Sequence, residues 1–126
     1  MQKIEEIKTQ LEATVAEIKK IEGEFQNVAK AKGQLQEKKS ENEMVHSELC
    51  LLDGDDAVVY KLVGPILAKQ DLEESKSNVK TRINYIEKEI LRLDTLEVEF
   101  QGKVQDANRN IQKLQNDYRT QIAKMQ

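Results

Sequence analysis

Apolar residues spaced three and four apart, in two long runs interrupted once, constrain this chain more than any other feature. In the first run they fall at Ile4, Ile7, Leu11, Ile18, Ile21, Phe25 and Val28, with Thr14 in the missing slot. Alternating steps of three and four are the a and d positions of a coiled-coil heptad. Beyond Val28 the same register would seat Lys32, Lys39 and His46. A shifted register seats Val28, Ala31, Leu35, Lys38, Asn42, Val45, Leu49 and Leu52 and collects more apolar residues. The spacing therefore predicts a three-residue stammer after Val28, which overwinds a coil locally.

The second run keeps one register to the end: Val79, Ile83, Ile86, Ile90, Leu93, Glu97, Phe100, Val104, Ala107, Ile111, Leu114, Tyr118, Gln121 and Met125. Only Glu97 and Gln121 depart from apolar. Asp71 three residues before Glu74 is a capping box with Asp as the cap. The expected organisation is one domain, 1–126, with a first helix over 1–52 and a second over 71–126. Each is roughly 75 Å long at 1.5 Å per residue. The pair folds back antiparallel, with Phe25 opposite Phe100 and with Ile4 and Ile7 near Tyr118 and Leu114. Composition agrees: charged residues are 34%, the apolar set 38%, with no Trp and one Pro, so the chain buries a seam rather than a thick core. Gly23, Gly33 and Gly102 are expected on the outer f position, where they ease bending of the stalk.

The interruption is Ala57 to Lys69, AVVYKLVGPILAK. Its β-branched and aromatic residues suit a pleated surface, and Gly64-Pro65 breaks it midway. It reads as a β-hairpin over 57–69, with two strands of roughly five residues. A lone hairpin is marginal in water. The flanking helices are too narrow to cover it, so Val58, Val59, Tyr60, Leu62, Val63, Ile66 and Leu67 are candidate oligomerisation residues. Between helix and hairpin, Gly54 is the natural helix C-cap. Asp53 and Asp55 match the start of a calcium loop, but Ala57 stands at the third ligand position and Leu62 to Gly64 surround that of the bidentate Glu. A solvated turn is the reading.

At the end where the chain termini meet, Met1 and Ile122 lie off the seam at e positions. Ile4, Ile7, Leu11, Leu114, Tyr118 and Met125 belong to it, but the last turns of a coil fray. An apolar strip there is a candidate surface for clients, since exposed apolar patches mark interaction sites. The alternative is ordinary seam.

No chemistry-bearing constellation stands out, so no enzyme activity and no cofactor or metal are expected. His46 has no second His and no Cys pair at ligand spacing, and Cys50 has no basic neighbour to activate it. The net charge of −3, with signs interspersed, gives no footprint for nucleic acid. No apolar run reaches about 18 residues, so no membrane span is expected. The start lacks the apolar core of a signal peptide, and one cysteine forms no internal disulfide, so a soluble cytoplasmic protein is expected.

Val59 to Glu74, VYKLVGPILAKQDLEE, then Val79 to Ile86, VKTRINYI, and Glu48 to Leu52, ELCLL, resemble the central segment of prefoldin β-class subunits. Ala68 stands where that family has a bulkier aliphatic residue, which loosens strand packing slightly. The resemblance implies a mainly α fold: a long antiparallel two-helix coiled coil joined by a β-hairpin that assembles into an intersubunit β-barrel. It implies a heterohexamer of two α-class and four β-class subunits. It also implies an ATP-independent holdase that captures unfolded chains such as actin and tubulin at its coiled-coil tips. These it would deliver to the cytosolic group II chaperonin. The alternative reading is a structural antiparallel coiled-coil spacer or adaptor without client binding. A spacer needs only a short polar turn between its helices, not some dozen residues rich in Val, Ile and Leu.

Overall fold

The computed structural model describes residues 2–52 and 58–125. Helix α1 spans Gln2–Leu51, strands β1 and β2 span Val59–Val63 and Ile66–Gln70, and helix α2 spans Leu72–Met125. The helices run this long because the one proline, Pro65, lies between the strands and the glycines inside them cost only about 1 kcal/mol each. Asp71 sets the start of α2. Its Oδ2 accepts the Glu74 N–H at 3.1 Å, and its carbonyl accepts the Ser75 hydroxyl at 2.9 Å. Glu73 and Glu74 in the first turn complement the helix dipole. At the end of α1 the Leu52 N–H donates to the Leu49 carbonyl at 3.2 Å. The expected cap at Gly54, with Asp53, Asp55 and Ala57, lies outside the described residues, as does Met1.

The chain divides into two compact units, residues 1–30 with 93–126, and residues 31–92. In the first, antiparallel stretches of α1 and α2 bury Ile21, Leu93 and Leu114 together with Thr14. Thr14 is accommodated because its hydroxyl donates to the Gln10 carbonyl at 2.8 Å and accepts from Asn110 Nδ2 at 3.4 Å. A buried hydroxyl without such partners would be costly. In the second unit Val79 and Ile86 are the buried apolar residues, with Ser75 beside them. Each fully buried aliphatic side chain contributes about 1.5–3 kcal/mol. The register of α2 is the one its sequence spells.

The stammer is not there. Lys32, Leu35, Lys39, Asn42, His46 and Leu49 are half-buried, as are Ala31 and Gly33 on either side of Lys32, whereas Lys38, Val45 and Leu52 are exposed. The register of Ile4 therefore continues unbroken, and His46 sits on the seam row rather than beside it. Gly33 then falls at a b position rather than f. The reason is that α2 offers an uninterrupted stripe, and a slipped α1 would turn away from it. Lys39 serves at a seam position by laying its stem inward and its head outward. Its Nζ lies 3.6 Å from Glu87 on α2 and 3.8 Å from Glu43. Asn42 Nδ2 donates to its own helix, to the Lys38 carbonyl at 2.7 Å.

The strands pair antiparallel from Val63↔Ile66 to Val59↔Gln70, one residue further than the sequence indicates. Gly64 has φ of 59°. A positive φ at the first central residue, followed by a proline fixed near −65°, is a type II′ turn, whose twist suits a hairpin.

Candidate functional site

Two surfaces, one in each unit, carry the candidate residues. The first is the hairpin. Directly paired residues share a face, so Tyr60, Leu62, Leu67 and Lys69 lie on one side. Val59, Lys61, Val63, Ile66, Ala68 and Gln70 lie on the other. Both faces are largely bare. Leu62 is 69% exposed, Tyr60 58% and Ile66 65%. Val58, Val63 and Leu67 are exposed as well, and only Val59 of the seven candidates is half-buried. A sheet with apolar side chains exposed on both faces is uncommon, since one solvated face is usually polar.

The edges are open too. In a two-residue hairpin the pair flanking the turn exchanges hydrogen bonds, and the next pair points its N–H and C=O groups outward. Tyr60 and Leu62 therefore present backbone groups on one edge, and Leu67 and Lys69 on the other. Pro65, which has no N–H, sits in the turn and blocks neither edge. The hairpin can thus accept a strand on each side.

Ser75, Asn78, Val79 and Arg82 of α2 line a groove with Val45 and Leu49 of α1 and Val59, Tyr60 and Lys61 of β1. Ser75 is 5% exposed. Sequence reasoning missed it because a serine next to an apolar row carries no hydrophobic signal. Cys50 is exposed, with its Sγ 3.7 Å from His46 Nδ1 one turn earlier.

The second surface lies in the unit that holds the chain ends. Ile4, Ile7, Leu11, Tyr118 and Ile122 are half-buried, and Met125 is exposed. Leu114 is 6% exposed and is part of the core, which corrects its place among the surface candidates. At a d position eleven residues before the end of α2, it is covered by the seam itself. Met1 lies outside the described residues. Val15, which sequence reasoning passed over, is exposed and shares a shallow groove with Leu11, Glu12, Ala16 and Lys19. An apolar residue at e, beside Leu11, was the available signal. Further along this unit Phe25 and Phe100 line one groove of about 430 Å³ together with Val104, Glu22, Gln26, Gln101 and Gln105. The Lys103 ammonium stands 5.8 Å from the Phe100 ring centroid, a cation–π contact.

The Prefoldin subunit family model matches residues 12–118. This chain belongs to the prefoldin subunit family. Proteins named prefoldin subunit 6 are similar to it along most of its length. The human one is 31% identical over 119 residues, 94% of this chain and 92% of that protein. The Drosophila melanogaster one, named as probable, is 37% identical over 116 residues, 92% of this chain and 83% of that protein. The Arabidopsis thaliana one is 48% identical over 80 residues, 64% of this chain and 61% of that protein. Among solved structures, the prefoldin beta subunit of Thermococcus strain KS-1 superposes with a TM-score of 0.76 at 26% identity, covering 82% of this chain and 90% of that one. Two long helices joined by a two-stranded hairpin are thus the prefoldin β-type fold. Prefoldin membership makes the chain a subunit of a chaperone complex that assembles with other prefoldin subunits. Among the described residues no helix is long and apolar enough to cross a membrane.

Proposed function

We propose that this chain is the holdase subunit of a cytoplasmic prefoldin heterohexamer, built through its hairpin and binding unfolded polypeptides at the helix ends. The observation that carries the proposal is a hairpin with both faces and both edges bare, in a chain of this family. In the proposed assembly Tyr60, Leu62 and Leu67 pack against the hairpins of α- and β-class neighbours in a β-barrel, while the outward N–H and C=O groups of the edges pair across subunits. Clients such as actin and tubulin are held by Ile4, Ile7, Leu11, Val15, Tyr118, Ile122 and Met125, then passed to the group II chaperonin. Several weak apolar contacts on linked subunits give avidity, because a second contact is intramolecular once the first is made. A client bound only when unfolded is withdrawn from aggregation by mass action. No step needs nucleotide.

The test uses the assembled complex and a chemically denatured protein diluted into it without ATP. Light scattering is expected to fall with intact prefoldin. The variant Ile4→Ser, Ile7→Ser, Ile122→Ser, Met125→Ser should assemble normally and suppress scattering several-fold less, since each lost apolar contact weakens capture. Equal suppression by the variant would move the client surface elsewhere. No suppression by the intact complex would favour the spacer reading.

A further inference from the structure

We propose that the hairpin of a neighbouring subunit packs along the outer side of α1, on a short apolar row formed by Met44, Val45, Leu51 and Leu52. The inference rests on the reading above that the hairpin is the assembly surface, and it extends that surface onto a helix.

The row stands out because α1 is otherwise polar there. With the register continuing unbroken from Ile4, Met44, Val45 and Leu51 occupy f and g positions at the end of α1, and Leu52 follows directly after it. One heptad earlier the same positions hold Glu37 and Lys38, and four heptads earlier they hold Ala16 and Glu17. The change to four large apolar side chains occurs only beside the hairpin. None of the four belongs to the seam with α2. Leu51 is 80% exposed and Met44 65%, and Val45 and Leu52 are exposed as well. Clustered exposed apolar side chains of this kind mark contact surfaces.

Two observations say what covers the row. First, it reaches the hairpin at its seam-side margin, where Val45 lines one groove with Val59, Tyr60 and Lys61 of β1 and with Ser75, Asn78, Val79 and Arg82 of α2. Second, the hairpin alone is small. Residues 59–70 number twelve, whereas a standard stable interface uses roughly 20–30 residues a side. The contact must spread onto adjoining surface, and this row is the apolar surface that adjoins it. A hairpin built like this one also has two apolar faces. One can be covered by another hairpin, and the second needs a different cover, which an apolar helix row provides.

The experiment places the photocrosslinker p-benzoylphenylalanine at position 44, 51, 37 or 62 in the complex co-expressed with the other subunits. Crosslinked peptides are identified by mass spectrometry. Positions 44 and 51 are expected to link to the hairpin of a neighbouring subunit, and position 37 to none. Links from 44 and 51 only to this chain itself, or only to a bound client, would overturn the inference while position 62 still finds a neighbour's hairpin. Failure of position 62 to reach any neighbour would instead overturn the assembly reading, and this inference with it. As a second arm, Leu51→Glu should weaken assembly roughly tenfold or more, with helix content by circular dichroism unchanged. Assembly within about twofold of the parent would count against the row.

Discussion

Lys38 and Lys39 stand next to each other, and only one of them belongs to the seam. Lys39 is half-buried with its head at Glu87, while Lys38 is exposed. Exchanging Lys39 for Leu removes an ion pair of the partly exposed kind, worth about 0.2–1 kcal/mol. It adds a half-buried aliphatic side chain that gains somewhat more. Lys39→Leu is therefore expected to raise the melting temperature by a stabilisation of about 1 kcal/mol. Lys38→Leu should leave it unchanged. The opposite pattern in thermal denaturation followed by circular dichroism would restore the slipped register. The error in the sequence reading has a physical cause. The end of α1 carries two apolar rows side by side, one at Leu35 and Leu49 and one at Val45 and Leu52. Counting apolar residues favours a register that borrows from both. Only the partner helix, with its regular Val79, Ile83, Ile86 and Ile90, decides which row faces inward.

At the scale of elements the chain announces itself more plainly. Long runs of heptads without proline give two long helices, and Asp71 caps the second as its spacing with Glu74 implies. The hairpin was legible from β-branched residues around Gly64-Pro65, because no helix would place those two residues in its middle. Its turn carries a prediction of sign. Gly64 holds φ of 59°, which costs an L-residue about 1–2 kcal/mol. Gly102 is helical with open space where a Cβ would stand, so an alanine there gains about 1 kcal/mol of helix propensity. Gly64→Ala should lower the melting temperature of the assembled complex, and Gly102→Ala should raise it. Equal shifts of one sign would mean that the turn is not the type II′ hairpin described here. Ser75 was not legible, since a serine beside an apolar row carries no hydrophobic signal, and its burial in the groove shared by α1, β1 and α2 shows only in the fold.

For the whole molecule, the proposed joint is the connector rather than the helices. Replacing Tyr60 and Leu62 with Asp places two charges on one hairpin face and leaves both helices untouched. The expected outcome is loss of the complex on native mass spectrometry, with helix content largely retained; an intact complex would rule out the hairpin as the joint. Family membership was legible because the middle segment keeps specific residue identities. The exposure of the proposed client residues was legible only in part. Leu114 proved to be core and Val15 proved exposed, a distinction set by how closely two helices approach at each turn. The bare hairpin also sets a rule of supply. In the proposed assembly, copies made in excess of their neighbours would have no way to hide it, and would stick to one another or become substrates for proteolysis. The cell can then keep only as much of this chain as its scarcest companion allows.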